Sequence, residues 1–356
     1  MIQKITVEEF LLLSKDHPLL DVRSPSEFNH AHIPGAHSLP LFTDEERKAV
    51  GTTYKQQSRE QAIKIGLDYF GTRMRKIVEE VEGLVATGNK SVFVHCWRGG
   101  MRSGGVAWLL DLYGFKVYTL IGGYKAYRNW ALHRLTLKYD LKILGGFTGS
   151  GKTLLLKELE KNGQLVIDLE GLANHKGSAF GAIGEKAQPS QEMFENLLAS
   201  ALFQNTLKSK KITENATERG LERFWLEDES QRIGLLNIPK IFFDQMRNSD
   251  LYFLEIPFEK RLKYLVETYG NFEREKLVNA IMRIQKRLGG LETKMAINHL
   301  LENDIPNCFR ILLKYYDKLY LKGLHSRINY KDLLNIIPCD DVNTGINLNK
   351  LFLQEV

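Results

Sequence analysis

Residues 92–105, VFVHCWRGGMRSGG, run an apolar segment into a cysteine and then into a loop rich in glycine and arginine. The pattern predicts a strand that ends at Cys96 and a helix that begins near Ser103. Backbone N–H groups at a helix N-terminus, together with Arg98 or Arg102, lower the pKa of a nearby thiol. We therefore interpret Cys96 as a catalytic thiolate in an anion-binding loop, and a buried structural cysteine is the alternative. The predicted loop consists of Trp97, Arg98, Gly99, Gly100, Arg102 and Ser103.

A second phosphate-binding pattern begins at Gly146. Residues 146–153, GFTGSGKT, match GxxxxGK(S/T), follow an apolar strand and precede a helical segment. Successive backbone N–H groups of such a loop face a phosphate, the lysine neutralises its charge, and the final threonine can hold Mg²⁺. The motif does not specify which phosphate compound binds. The predicted phosphate ligands are Gly146, Gly149, Ser150, Gly151, Lys152 and Thr153.

Charged side chains farther along the chain are candidates for supporting roles. Asp168 and Glu170 follow one apolar segment, and Asp228 lies in the acidic run 227–229 after another. Carboxylates at strand ends beside a phosphate loop commonly face a metal ion or its water shell. Arg283 and Arg287 share a predicted helix face and could contact a phosphate or RNA. Solvated acidic strand ends and a solvated basic helix face are the alternatives.

The elements that must position these residues alternate between strands and helices. This alternation predicts an α/β fold with parallel sheets in two domains. Residues 1–130 form the first predicted domain, and residues 131–141 a helical connection. Residues 142–290 form a phosphate-loop domain, followed by a mostly helical C-terminal extension, 291–356.

Composition limits the class of protein. The chain has 356 residues, of which 43% are hydrophobic and 26% charged, as is typical of globular proteins. The net charge of +6 and the pI of about 8.9 favour polyanionic partners. Three cysteines without paired spacing argue against a zinc site and a disulfide framework. No segment has the pattern of a secretion signal or membrane span, so we expect a cytoplasmic protein with no membrane partner.

The first domain resembles the rhodanese family. The resemblance is carried by Asp21-Val22-Arg23 with Glu27, by residues 32–36 (HIPGA), by the strand into Cys96, and by residues 120–124 (LIGGY). It implies that the cysteine carries sulfur or selenium as a covalent adduct, and that Asp21 and Arg23 organise the fold around the loop. The spacing from Cys96 to Arg102 is one residue longer than in most sulfurtransferases and is similar to that of rhodanese-like dual-specificity phosphatases.

The fusion of this domain to a phosphate-loop domain resembles the tRNA 2-selenouridine synthase family. Matching stretches include residues 40–56, 145–153, 166–181 and 227–234. The resemblance implies conversion of wobble 2-thiouridine to 2-selenouridine with selenophosphate, through an S-geranyl intermediate made from geranyl diphosphate. It also implies tRNA as partner and a selenophosphate-producing enzyme as supplier. We expect no tightly bound cofactor, and the phosphate-loop motif alone would allow Mg²⁺ at Thr153.

Two other interpretations remain open from the residues alone. In the first, the chain is a rhodanese-like phosphatase or sulfurtransferase whose phosphate-loop domain binds ATP. In the second, it is a non-enzymatic RNA-binding protein whose two loops bind backbone phosphates. Trp97 is compatible with stacking on a base, with shielding the thiolate or with core packing.

Overall fold

The chain divides into two compact units in a computed structural model that describes residues 2–85, 90–213 and 223–354. The first unit comprises Met1–Arg134 and Glu195–Ser200, and the second comprises Leu135–Phe194 and Ala201–Val356. Each unit contains its own parallel sheet of five strands.

The sheet of the first unit has the strand order β1-β5-β4-β2-β3, and every pair is parallel. Its strands are β1 (Gln3–Ile5), β2 (Leu19–Asp21), β3 (His37–Ser38), β4 (Ser91–His95) and β5 (Lys116–Leu120). Its helices are α1 (Val7–Leu13), α2 (Pro25–His30), α3 (Asp44–Gln56), α4 (Arg59–Leu84), α5 (Met101–Tyr113) and α6 (Gly123–Arg134).

The central strand β4 is buried on both faces. Phe93 is 1% exposed, and its neighbours Val92 and Val94 are fully buried. Strands covered by helices on both sides are hydrophobic without alternation, which is why this segment has no polar face. Val106 and Leu110 of α5 belong to the same core as Val92 and Val94. The strand and the helix that flank Cys96 are therefore held firmly in place.

The second unit is built around a sheet with the strand order β12-β11-β6-β8-β7, again all parallel, and an antiparallel pair formed by β9 and β10. The strands are β6 (Asp140–Gly146), β7 (Leu165–Ile167), β8 (Arg223–Glu227), β9 (Arg232–Ile233), β10 (Leu236–Asn237), β11 (Asp250–Glu255) and β12 (Leu334–Pro338). The helices are α7 (Lys152–Lys161), α8 (Leu169–Ala173), α9 (Gln191–Thr213), α10 (Lys240–Arg247), α11 (Phe258–Tyr269), α12 (Arg274–Leu288), α13 (Gly290–Leu301), α14 (Ile305–His325), α15 (Tyr330–Leu333) and α16 (Thr344–Leu353). Within α9, residues 195–200 belong to the first unit.

The predicted α/β class is confirmed by the two parallel sheets and the helical region that follows the second. Two details differ from the expected division of the chain. The helix before the second unit ends at Arg134, so residues 135–139 of the expected helical connection are not helical. In addition, β12 comes from the expected C-terminal extension, yet it pairs with β11 along its full length. Parallel pairing across such a sequence distance depends on packing that a local pattern does not reveal.

Candidate active sites

The Cys96 thiol lies directly after β4 and under the turn that leads into α5. Its side chain is 3% exposed, whereas Trp97, Arg98, Gly99 and Gly100 above it are exposed. The Sγ atom is 3.2 Å from the hydroxyl of Ser103. That hydroxyl is also 3.2 Å from the Gly100 carbonyl oxygen, so its single proton can be donated either to this oxygen or to the Cys96 thiolate. The thiol thus sits between a strand end and a helix N-terminus, as the sequence predicts.

Opposing effects act on the pKa of the Cys96 thiol. Burial raises it, but hydrogen bonds from the side chain and backbone of Ser103, the charge of Arg102 and the backbone of Gly100 together lower it below its ordinary value. The net direction favours the thiolate. Such a group can act as a nucleophile or carry a chalcogen atom.

A second turn holds the cysteine loop from behind. The backbone N–H of Tyr124 donates to the Cys96 carbonyl oxygen at 2.8 Å, and the N–H of Lys125 donates to the Trp97 carbonyl oxygen at 2.9 Å. Gly123 has a φ of +60°, and a Cβ atom there would lie 2.4 Å from the Cys96 carbonyl oxygen. Only glycine permits this approach, which explains the paired glycines before Tyr124.

Asp21 and Arg23 form a buried support next to this loop. The Arg23 guanidinium donates to both carboxylate oxygens of Asp21, at 3.0 Å from Nε to Oδ1 and 2.6 Å from Nη2 to Oδ2, and to the Ala31 carbonyl oxygen at 2.7 Å. Its central carbon lies 3.8 Å from the ring centre of Tyr124. The backbone N–H of Tyr124 holds the Cys96 carbonyl oxygen, and the Tyr124 ring packs against Arg23. The Asp21–Arg23 pair therefore supports the backbone of the cysteine loop through Tyr124.

The two arginines of the cysteine loop differ in their surroundings. Arg98 is exposed, whereas Arg102 donates to Glu27 at 2.8 Å. Glu27 also lies 3.5 Å from Arg47, so it is shared between two cations. Arg102 therefore contributes its positive charge to the thiol while its hydrogen bond is directed at a carboxylate.

The phosphate loop joins β6 to α7 in the second unit. Lys152 begins the helix, and its Nζ atom donates to the Gly146 carbonyl oxygen at 3.0 Å. Gly149 has a φ of +80°, and a Cβ atom there would lie 2.9 Å from Leu265. The left-handed backbone and the close approach of α11 both require glycine at this position. The loop thus presents the backbone arrangement that a phosphate needs at a helix N-terminus.

Three glutamates form a carboxylate cluster beside Lys152. Glu170, Glu227 and Glu229 each place one oxygen within 4.8 Å of the others. Thr153 donates to Glu170 through its hydroxyl at 3.3 Å. The pKa of Glu170 is raised to about 10 and that of Glu229 to about 8. Burial is the larger cause for both, and the neighbouring carboxylates are the second. Burial also raises the pKa of Glu227.

The other acidic candidates have different partners. The Asp168 carboxylate accepts a hydrogen bond from the Gly171 N–H at 2.8 Å and so caps α8. Asp228 forms an ion pair with Arg327 and accepts a hydrogen bond from the Tyr320 hydroxyl at 2.6 Å. Strand β8 ends at Glu227, and the Glu229 N–H donates to the Glu227 carbonyl oxygen at 3.0 Å, so the backbone turns tightly at Asp228. The acidic run 227–229 in the sequence does not distinguish Asp228 from its two neighbours.

A cleft of about 550 Å³ opens beside the phosphate loop. The phosphate loop and the carboxylate cluster line its polar end. The remaining lining includes a group of hydrophobic side chains from three parts of the chain, which we call the apolar wall. It consists of Phe180, Leu265, Phe309, Leu312, Leu313 and Tyr316.

Two long-range contacts attach this wall to the phosphate loop. Arg261 donates to the Thr148 carbonyl oxygen at 3.1 Å and to both carboxylate oxygens of Asp317, at 2.9 and 2.8 Å. The Tyr320 hydroxyl accepts a hydrogen bond from the Gly146 N–H at 3.2 Å. These residues are not predictable from the sequence, because the spacing of α14 indicates only that one helix face is buried.

The predicted basic pair on α12 lies outside the cleft. Arg283 and Arg287 are both exposed, and neither lines the cleft. The pKa of His175 is lowered, first by burial of the histidine and second by the nearby positive charge of Arg283. Contact with a larger substrate such as RNA stays a prediction for both residues.

A thiol loop on a rhodanese-like sheet, followed by a phosphate loop with a hydrophobic cleft, defines a two-domain enzyme of the group-transfer class. Residues 6–129 match the family model for the rhodanese-like domain, and residues 139–331 match the model for the tRNA 2-selenouridine synthase AAA domain. The chain belongs to the tRNA 2-selenouridine synthase family. The predictions of this family and of an enzyme are thereby confirmed.

Matches to two named synthases each cover most of this chain. The tRNA 2-selenouridine synthase of Sulfurovum sp. (strain NBC37-1) is 34% identical over 335 residues, which is 85% of this chain and 87% of that protein. The synthase of Hydrogenovibrio crunogenus is 36% identical, with 87% and 90% of the two chains covered. One similar solved structure is the N-terminal domain of an ATP/GTP binding protein from Clostridium difficile 630. It is 41% identical, the match covers 36% of this chain and 99% of that domain, and the TM-score is 0.35.

Across residues 2–85, 90–213 and 223–354, every helix is too short or too polar to cross a bilayer.

Proposed function

We propose that this chain converts wobble 2-thiouridine of tRNA into 2-selenouridine in two steps, one at each loop. The first step transfers a geranyl group from geranyl diphosphate to the sulfur. The second replaces the geranylated sulfur with selenium from selenophosphate, supplied by a selenophosphate-producing enzyme in the cytoplasm. Membership of the tRNA 2-selenouridine synthase family supports the overall conversion.

The observation that carries the first step is the two-sided cleft of the second unit. One end offers a phosphate loop with Lys152, and the remainder includes the apolar wall. A prenyl diphosphate has the same two-part character, with an anionic head and a hydrocarbon tail. A nucleotide would place a polar ribose and base where the apolar wall offers few hydrogen-bonding groups.

In the first step, the C2 sulfur of the thiouridine attacks C1 of the geranyl group. The S–C1 bond forms as the C1–O bond breaks, diphosphate leaves with the electron pair, and the base loses its N3 proton. Lys152 and the N–H groups of the phosphate loop would stabilise the charge that develops on the departing diphosphate. Tyr320 and Arg261 hold Gly146 and Thr148 of that loop in position.

The carboxylate cluster fits a divalent cation. The Oε1 atom of Glu227 is buried without a hydrogen-bond partner among the described residues, and oxygen ligands suit Mg²⁺. Thr153, Glu170, Glu227 and Glu229 would hold the ion. It would supply positive charge that neutralises the diphosphate.

In the second step, selenium forms a bond to C2 as the C2–S bond breaks. Geranyl thiol leaves with the electron pair and a proton, and cleavage of the P–Se bond by water releases phosphate. Attaching the geranyl group first matters because it makes the departing sulfur a neutral thiol. The lowered pKa of Cys96 and the anion-binding character of its loop support placing this step there.

The test compares Cys96→Ala and Lys152→Ala with the wild type. Each enzyme is incubated with thiolated tRNA, geranyl diphosphate and selenophosphate, and the nucleosides are analysed by mass spectrometry. We expect Cys96→Ala to accumulate S-geranyl-2-thiouridine without selenouridine. Lys152→Ala should form geranylated nucleoside at least about 100-fold more slowly, since a major charge stabiliser is removed.

Two results would contradict the proposal. Geranyl transfer at the wild-type rate by Lys152→Ala would remove the phosphate loop from the first step. Hydrolysis of a generic phosphoester that depends on Cys96 and proceeds without tRNA would instead favour the phosphatase interpretation.

A further inference from the structure

Helix α14 contributes a regular series of side chains to the cleft. Tyr320, Tyr316, the pair Leu312 and Leu313, and Phe309 all line it. Successive members are three or four residues apart, so each turn of the helix places one member, or the leucine pair, on the side that faces the cleft. Phe309, Leu312 and Leu313 are 6%, 3% and 1% exposed. The end of the series distant from Tyr320 is therefore buried in the protein.

The other end of the series is attached to the phosphate loop. The Tyr320 hydroxyl accepts the hydrogen bond from the Gly146 N–H at 3.2 Å. Asp317, less than one turn away, binds Arg261, which donates to the Thr148 carbonyl oxygen. The position of α14 along its axis is thus set relative to the group that would hold the diphosphate.

The repeat of the helix matches the repeat of an isoprenoid chain. One turn of α-helix advances about 5.4 Å, so Phe309 lies about 16 Å along the axis from Tyr320. One isoprene unit adds four backbone carbons and extends a chain by about 5 Å at ordinary C–C bond lengths. Two units beyond the diphosphate would reach the level of Leu312 and Leu313. A third unit would meet Phe309.

We infer that α14 sets the length of the prenyl chain that this enzyme transfers, with Phe309 closing the cleft beyond two isoprene units. The inference rests on the proposed prenyl transfer and specifies its substrate. Leu265 and Phe180 complete the enclosure from other parts of the chain. Phe309 is a specificity-determining residue, and it takes no part in the bond-making step.

The experiment is a competition between geranyl and farnesyl diphosphate at equal concentrations, with thiolated tRNA as acceptor. Mass spectrometry gives the ratio of farnesylated to geranylated nucleoside, which does not depend on the fraction of enzyme that is folded. The wild type should favour geranyl. Phe309→Ala should raise the ratio by about tenfold or more, the discrimination typical of a single misfit group in a hydrophobic pocket. Phe309→Leu leaves a smaller cavity and should shift the ratio in the same direction.

A variant that fills the cleft tests the opposite change. Leu312→Phe should shift use from geranyl diphosphate toward dimethylallyl diphosphate, which has one isoprene unit. Ile305→Ala is the matched control, because Ile305 belongs to the same core cluster as Phe309 but does not line the cleft. It should leave all ratios at their wild-type values.

The outcomes separate this inference from the proposed function. Wild-type geranyl transfer with an unchanged product ratio in both Phe309 variants would overturn the role of α14 alone. An equal shift in Ile305→Ala would do the same, because it would indicate general loosening of the core. Failure of the wild type to transfer any prenyl group would overturn the proposed function and this inference together.

Discussion

The three cysteines of this chain show how local structure decides the chemistry of one side chain. Burial raises the pKa of Cys308 to about 12 and also raises the pKa of Cys339. Cys96 is buried as well, but its pKa is lowered, because hydrogen bonds from Ser103 and the charge of Arg102 outweigh burial. The helix N-terminus after Cys96 supplies these groups, so only this cysteine is suited to react as a thiolate.

Removal of the Ser103 hydroxyl should make Cys96 less reactive. Loss of a hydrogen bond to the thiolate raises the pKa of the thiol, and we expect alkylation at neutral pH to slow by about tenfold. We expect Ser103→Ala to shift the pH profile of iodoacetamide alkylation toward higher pH. The measurement is the alkylation rate of Cys96 as a function of pH, followed by peptide mass spectrometry.

Two variants serve as references for that measurement. Cys96→Ser identifies the signal that belongs to Cys96, and Ser38→Ala removes an exposed hydroxyl from the same unit. Ser38→Ala should retain the wild-type profile. An unchanged profile in Ser103→Ala would mean that the hydroxyl does not stabilise the thiolate.

At the scale of elements, the cleft depends on how α11 and α14 are attached to the phosphate loop. Arg261 from α11 is 3% exposed and joins Asp317 of α14 to the Thr148 carbonyl oxygen. Five N–H groups in a planar fork allow arginine to bind a carboxylate at two points and a carbonyl group at the same time. This one side chain therefore links two helices to the loop.

Arg261→Ala should destabilise the second unit and weaken binding of the diphosphate substrate. Removal of one partner of a buried ion pair leaves Asp317 without its counter-charge, which costs about 3 kcal/mol. We expect a lower urea midpoint and a KM for geranyl diphosphate raised by about tenfold, since Thr148 loses its support. Denaturation curves and steady-state kinetics measure the two effects.

The same pair of helices offers a control. Arg310 of α14 forms an ion pair with Glu259 of α11 at the surface. Exposed pairs contribute little, so Arg310→Ala should behave like the wild type in both assays. Equal losses in the two variants would show that any link between the helices matters, and that Arg261 has no special part in holding the loop.

At the scale of the whole molecule, the two loops belong to units with separate cores. The core around Cys96 includes Val94 and Val106, whereas α7 after the phosphate loop packs Leu155 and Leu156 against Trp225. Substitution of one loop residue removes a functional group without disturbing the core of the other unit. The two proposed steps should therefore be separable by mutation.

A mixture of Cys96→Ala and Lys152→Ala should restore selenouridine formation. The first variant would make geranylated tRNA and the second would convert it, provided that the intermediate passes through solution. We expect the mixture to form selenouridine at least about tenfold faster than either variant alone, measured by nucleoside mass spectrometry. A second mixture controls for total protein. It contains the double variant Cys96→Ala/Lys152→Ala and the variant Ser38→Ala, which we expect to behave like the wild type, each at the concentration used in the first mixture. If the mixture is no better than its components, transfer of the intermediate in solution is contradicted.

Features that lie in contiguous segments can be predicted from the amino-acid sequence alone. The cysteine loop after β4 and the phosphate loop after β6 were both predicted, because a strand, a short loop and a helix N-terminus carry their geometry within a few residues. The α/β class followed from alternating elements, and the family from long matching stretches. The roles of the individual loop residues stay predictions.

The surroundings of those loops depend on residues that are far apart in the sequence. Gly146 and Tyr320 are 174 positions apart, and Thr148 and Arg261 are 113 apart, yet each pair is joined by a hydrogen bond. The pairing of β12 with β11 is equally remote from any local pattern. Periodicity shows that a helix has a buried face, but not which element that face meets. The apolar wall, and with it the length of the cleft, therefore emerged only once the helices were packed against the sheet.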